Sequence, residues 1–247
     1  MSAAVPDILS RIVATKRVEV EHLRASRRSF RAALAGRKPA VIAELKKASP
    51  SKGTLIEEYH PGQIAHFYQT GGAAALSVLT DRNYFQGSLH DLHTARAATH
   101  LPVLRKDFMI DEIQIAEAVT SGADAILLIA AIMDVARLRA LREFAEKLGL
   151  DVLVEAHDER ELLAALESGA TIVGVNNRDL RTFQVSLETS IRLAPMFPKD
   201  VIAVSESGIQ SRADVDRLMQ VGYRAFLIGE HLMKAADPMA ALQELTA

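Results

Sequence analysis

The feature that most limits how this chain can fold is a repeat. From Val41 onward, eight apolar runs recur at intervals of roughly 20–35 residues: 41–45, 74–79, 103–105, 125–129, 152–155, 172–175, 201–204 and 225–228. Each interval is long enough for a strand and a crossover helix. The runs are continuous rather than alternating, as in parallel strands covered on both faces. Amphipathic segments lie between them, and Asp111, Asp134 and Asp158 are predicted to cap three of the helices. Gly72, Gly122, Gly169 and Gly222 precede four of the runs and suit left-handed helix ends. Eight such units predict an α/β fold, a (β/α)8 TIM barrel, because eight is the number that closes. The alternative, an open doubly wound sheet, usually carries a glycine-rich phosphate loop after its first strand, and Lys52-Gly53 is no such loop.

Ahead of the repeat, Ile8, Leu9, Ile12, Val13 and Val20 recur at helical spacing. The spacing predicts an extra N-terminal helix from Pro6 to about Arg28, with Pro6 in its first turn. Arg37-Lys38-Pro39 marks the loop that follows. The expected organisation is one barrel domain over residues 1–247 with a helical extension over about 1–40.

Bulk properties remove several function classes. A formal net charge of −2 argues against a general nucleic-acid or anionic-membrane binder. The basic cluster from Arg24 to Arg31 reads as a solvated helix face. With 0 cysteines there is no disulfide, thiolate nucleophile or zinc-thiolate site. No run approaches the ~18 apolar residues of a membrane helix, and no basic segment precedes an apolar core at the start. A cytoplasmic protein is expected.

In barrels the chemistry sits at the carboxyl ends of the strands, so the residues where each run turns polar are the candidates. The first run ends in Glu44-Leu45-Lys46. Two residues apart on an extended segment, Glu44 and Lys46 leave the same face, while Leu45 points behind. The second run gives Ser77 and Thr80-Asp81, with Phe85 in its loop. The third gives Arg105-Lys106-Asp107-Phe108 and the fourth stays apolar. The fifth gives Glu155 and His157, the sixth Asn176-Asn177-Arg178-Asp179, the seventh Ser205-Glu206-Ser207-Gly208, and the eighth Gly229-Glu230.

Taken singly, each has a plain reading. Lys106-Asp107 reads as a surface ion pair, Glu155 as a solvated or capping residue, and His157-Asp158 as a loop and helix cap. His90, His93 and His100 read as solvated surface rather than metal ligands. Convergence changes this, because several ionisable groups on one rim are electrostatically expensive unless something binds there. The glycines after runs seven and eight suit backbone approach to a phosphate, although the carboxylate of Glu230 would repel it unless turned outward.

Ordered along the chain, Ile8-Leu9, Glu44-Leu45-Lys46-Lys47-Ala48-Ser49-Pro50-Ser51-Lys52-Gly53, Ser77-Val78-Leu79-Thr80-Asp81, Leu104-Arg105-Lys106-Asp107-Phe108, Val154-Glu155-Ala156-His157, Asn176-Asn177-Arg178-Asp179, Ser205-Glu206-Ser207-Gly208 and Ile228-Gly229-Glu230 follow one another. This set resembles the indole-3-glycerol phosphate synthases of tryptophan biosynthesis over essentially the whole chain. The resemblance implies closure of 1-(2-carboxyphenylamino)-1-deoxyribulose 5-phosphate to indole-3-glycerol phosphate with loss of CO2 and water, without metal or organic cofactor. It implies that Lys106 is the acid that opens the reaction and that Glu155 and Lys46 transfer protons in the later steps. Glu44 would orient the substrate and tune its lysine neighbour, and Asn176 would hydrogen-bond the sugar. Arg178 would pair with the anthranilate carboxylate through its fork, and Phe85 and Phe108 would wall the aromatic ring. Ser49, Pro50, Glu206, Ser207, Gly208, Gly229 and Glu230 would line the sugar and phosphate end. The implied partner is a phosphorylated small molecule, with no nucleic acid or membrane, for a monofunctional monomer or weak homodimer. The extra helix is expected at the barrel mouth. Tyr84, Met109 and Glu112-Ile113 depart from the family pattern around the Lys106 loop. A Schiff-base aldolase using Lys106 or Lys46, or a barrel that binds a phosphorylated metabolite without turnover, are the competing readings.

Overall fold

The computed structural model describes residues 7–25, 27–36 and 39–247. Eight strands, β1 (Ala40–Leu45), β2 (Ala75–Leu79), β3 (Val103–Lys106), β4 (Ala125–Ile129), β5 (Asp151–Ala156), β6 (Ile172–Asn176), β7 (Ile202–Glu206) and β8 (Ala225–Ile228), pair in parallel with their sequence neighbours. β8 returns to β1, so the sheet closes as a barrel. The continuous apolar runs have the expected cause. Residues such as Val41, Ala43 and Leu45 face the surrounding helices, while Ala40, Ile42, Leu104, Leu127, Leu153, Val204 and Leu227 fill the barrel interior.

Helices follow the strands, α3 (Pro61–Thr70) after β1 and α4 (Leu89–Ala97) after β2, and sequence chemistry starts them. The side chains of Asp111, Asp134 and Asp158 accept hydrogen bonds at the starts of α5 (Glu112–Thr120), α6 (Val135–Lys147) and α7 (Glu159–Glu167). The four predicted helix-end glycines all have positive φ, from 85° at Gly122 to 111° at Gly222.

The N-terminal region departs from expectation. The first helix, α1 (Asp7–Ala25), stops short of Arg28, and a separate helix α2 (Phe30–Gly36) follows. Pro6 and Arg37-Lys38 lie outside the described residues. Phe30 and Leu34 are buried against Ala40, Ala75, Ala125 and Ile172 and close the amino-terminal floor of the barrel. The linking residues are anchors, not a solvated face. The Arg27 guanidinium donates to the carbonyls of Ala123 and Val119. Arg28 donates its side chain to the Leu101 carbonyl at 2.8 Å and its backbone N–H to buried Asp124 at 3.0 Å. The described side chains of α1, residues 8–20, are all exposed. Among the described residues no helix is long and apolar enough to cross a membrane.

Candidate active site

Strand alternation brings the ionisable residues to one place. Glu44 from β1, Lys106 from β3, Glu155 from β5 and Glu206 from β7 share the inward face of their strands at the carboxyl end, above the apolar filling. Lys46 follows two residues after Glu44, and its ammonium lies 2.5 Å from the Glu44 carboxylate. Lys106 is no surface ion pair with Asp107. Its ammonium is 3.2 Å from Glu155 and 4.0 Å from Glu206, with its side chain only 15% exposed. Asp107 instead pairs with Arg105 and with the Thr80 hydroxyl, at 3.1 Å and 2.5 Å.

Two glycines give this layer its room. A Cβ at Gly174 would overlap a Glu206 carboxylate oxygen, and one at Gly229 would overlap the Glu44 carboxylate. Both glycines sit at inward positions where a side chain would fill the space the carboxylates occupy. The sequence marked Gly229 as a phosphate-loop residue; its approach to Glu44 was not visible there, and Gly174 was missed.

Burial and charge set the protonation states. Burial lowers the affinity of Lys106 for its proton, but the carboxylates of Glu155, Glu206 and Glu44 reverse this and raise its pKa above the ordinary lysine value. Glu155 is the converse case. Burial favours its neutral form, yet Lys106 and His157 hold it below the usual carboxylate range. Glu206 has no such help. Burial, then the neighbouring Glu155 charge, push its pKa well up. Its two oxygens have no hydrogen-bond donor among the described residues, and the residue is 1% exposed.

His157 is more than a loop residue. Its Nε2 lies 3.2 Å from Glu155 and its Nδ1 2.9 Å from Glu161 on α7. Burial disfavours the imidazolium, but bonds to the two carboxylates raise its pKa to about 10. His90, His93 and His100 are exposed.

The remaining predicted residues fall into two groups. Lys46, Glu44, Arg178, Ser207, Gly208, Gly229 and Glu230 line a cavity of about 640 Å³ together with Lys52. Ser207 and Gly208 are consecutive left-handed residues, φ 66° and 83°. The buried Asn177 amide holds the Ser207 carbonyl at 3.1 Å while also donating to Ser205, a supporting role the sequence did not reveal. The Glu230 carboxylate turns to Lys234 at 2.7 Å and Arg178 at 3.5 Å. Lys106, Glu155, Glu206, Asn176, Ser49, Pro50, Phe85 and Phe108 are not among the cavity walls. Phe85 and Phe108 do meet, with ring centroids 6.0 Å apart. The Asn176 side-chain oxygen accepts from the backbone N–H of Arg178, and Ser49 pairs with Gly53 in a short hairpin after β1.

The chain as a whole matches a known group of proteins. The profile of the indole-3-glycerol phosphate synthase family matches residues 6–245. The chain belongs to that family. Indole-3-glycerol phosphate synthase from Burkholderia vietnamiensis is 50% identical over 97% of this chain and 98% of its own length. The Chromobacterium violaceum synthase is 51% identical over 97% of each. Thiamine phosphate pyrophosphorylase from Pyrococcus furiosus, at 18% identity and TM-score 0.63 over 85% of this chain and 94% of its own, shares the fold alone. Within the indole-3-glycerol phosphate synthase family, Glu44, Lys46, Lys106, Glu155 and Glu206 of this chain thus stand at the mouth of a closed barrel, and no open sheet is involved.

Proposed function

We infer that the chain is an indole-3-glycerol phosphate synthase, closing 1-(2-carboxyphenylamino)-1-deoxyribulose 5-phosphate to indole-3-glycerol phosphate with loss of CO2 and water. The observation that carries the residue roles is the Lys106 ammonium, held protonated among Glu155, Glu206 and Glu44. A fixed cation of this kind donates its proton to the sugar carbonyl oxygen as the ring carbon attacks, neutralising charge where it develops. CO2 then leaves and its electron pair restores the aromatic ring. The new hydroxyl departs as water with a proton from an acid, and the methylene beside nitrogen gives a proton to a base. Glu155, kept ionised by Lys106 and His157, suits the base; Lys46, 2.5 Å from Glu44, suits the acid.

Glu44 orients the substrate, and Asn176 holds its sugar portion. Glu206, buried with no donor of its own among the described residues, has its partner on the ligand. Phe85 and Phe108 pack together as an apolar wall for the aromatic ring. Arg178 exchanges its long contact with Glu230 for the anthranilate carboxylate. The left-handed Ser207-Gly208 pair, Gly229 and Lys52 surround the phosphate, with Ser49 and Pro50 at the sugar end. The Glu230 carboxylate, still paired with Lys234, offers that phosphate little repulsion. We place the enzyme in the cytoplasm, as a monomer or weak homodimer.

A Schiff-base lysine must be neutral to attack, and the carboxylates of Glu155 and Glu44 oppose that state at Lys106. The deciding experiment supplies the carboxyphenylamino sugar and follows CO2 release with the rise of indole fluorescence. Wild-type protein is expected to give both, and Lys106→Ala is expected to bind the sugar but lose at least about 100-fold in kcat. No product from wild type refutes the synthase, and a covalent adduct trapped by borohydride refutes the acid.

A further inference from the structure

His157 sits just past the end of β5, and the proposed reaction brings it into no contact with the substrate. Its ring is 11% exposed and lies between two carboxylates, Nε2 at 3.2 Å from Glu155 Oε1 and Nδ1 at 2.9 Å from Glu161 Oε2. The same Glu161 oxygen accepts the His157 backbone N–H at 2.8 Å, which ties the ring to the first turn of α7. That turn needs no help from Glu161, because Asp158 already caps it. Glu155 is therefore approached from two sides, Oε1 by the imidazole in an ion-pair contact and Oε2 by the Lys106 ammonium, which donates to it at 3.2 Å. A carboxylate with a cation beside each oxygen has one favoured orientation, whereas one paired with Lys106 alone can swing about its final torsion.

We propose that His157 is a positioning residue for the ring closure: bridging Glu155 to Glu161, it fixes the plane of the Glu155 carboxylate and keeps that base ionised. The proposal rests on the synthase reading of the site. Charge supports it: the His157 ring stands between two carboxyl groups, where an imidazolium offsets the charge that Glu155 carries beside Glu206. Glu155 and Glu161 act on the ring directly. Lys106 and Glu206 reach it through Glu155, and Asp158 is turned away to its cap.

The test compares wild type, His157→Asn and Glu161→Gln, with melting curves to establish folding. His157→Asn is expected to lower kcat about 10- to 100-fold, in the range of lost outer-sphere support, with KM within about threefold. Without the cation Glu155 holds its proton more tightly, so the acid limb of the kcat–pH profile moves to higher pH. Ring nitrogen NMR of histidine-labelled wild type is expected to show an imidazolium at about pH 8, and Glu161→Gln to bring its titration down by about one pH unit or more. Folded His157→Asn with wild-type kcat, or with reduced kcat and an unmoved acid limb, overturns the proposal, as does a neutral ring at that pH in wild type. If His157→Asn fails to fold, the ring's protonation and the Glu161→Gln shift decide. If wild type releases no CO2 from the sugar, the synthase reading fails, and the bridge is judged by the NMR readouts alone.

Discussion

Replacing Glu206 with glutamine keeps the shape of the side chain and removes its titration, so the pH dependence of stability reports its proton in the folded chain. Glu206 is 1% exposed, and no donor reaches either oxygen among the described residues. Its nearest cation, Lys106, is 4.0 Å away and lies closer to Glu155, at 3.2 Å. Burial and the Glu155 charge therefore raise its pKa above the ordinary 4.5. The sign follows from proton counting. As pH rises through about 4.5 the unfolded chain gives up the Glu206 proton while the folded chain keeps it, so the contribution of Glu206 to stability falls with rising pH. Glutamine has no carboxyl proton to keep, and Glu155, the group coupled to Glu206, is held below the usual carboxylate range, so its own folded-state titration falls outside the window compared. The gap should widen in favour of Glu206→Gln by up to about 1.4 kcal/mol per pH unit. At about 2–4 °C per kcal/mol for a chain of this size, that is roughly 3–6 °C per unit. Circular-dichroism melts in matched buffers from about pH 4.5 to pH 7 measure it. A melting difference that stays flat over that range would refute the neutral, unpartnered Glu206 described above.

Two further substitutions separate the two ends of the barrel. Gly229→Ala places a methyl group against the Glu44 carboxylate; overpacking costs about 1–3 kcal/mol, and displacement of the Glu44–Lys46 pair should lower kcat/KM about tenfold or more, measured by indole fluorescence. Phe30→Ala empties a fully buried floor position and should cost about 3–5 kcal/mol, roughly 6–20 °C in melting temperature, with kcat unchanged below the transition; an unchanged melt would show that the floor is not packed as described.

The barrel was readable because parallel strands buried on both faces leave continuous apolar runs, and the observed strands start within a residue or so of them. Glu44 and Lys46 were readable as a pair because a strand has period two. The same rule applied to Glu155 and His157, and helical spacing applied to His157 and Glu161, so the bridge was written in two local patterns. It was passed over because His157 follows the end of its apolar run, where loop chemistry is the ordinary explanation. Gly174 was not readable. What forbids a side chain there is Glu206 on the next strand, a contact fixed only when the sheet curls. The break between α1 and α2 was also hidden, since Arg27 and Arg28 look like helix surface until the carbonyls they bind are brought beneath them.

The floor plug has a consequence for the order of assembly. Arg28 bonds to Asp124, 96 residues later in the chain, and the Arg31 backbone bonds to Asp151, 120 residues later. Phe30 thus leaves the ribosome well before Ala125 and Ile172, with which it shares the floor cluster. Contacts of such long range are slow to form, and a growing chain exposes the sticky end of its floor until half the barrel has been synthesised. Nascent chains halted before residue 124 should bind holdase chaperones through that segment, and those extending past residue 151 should release them.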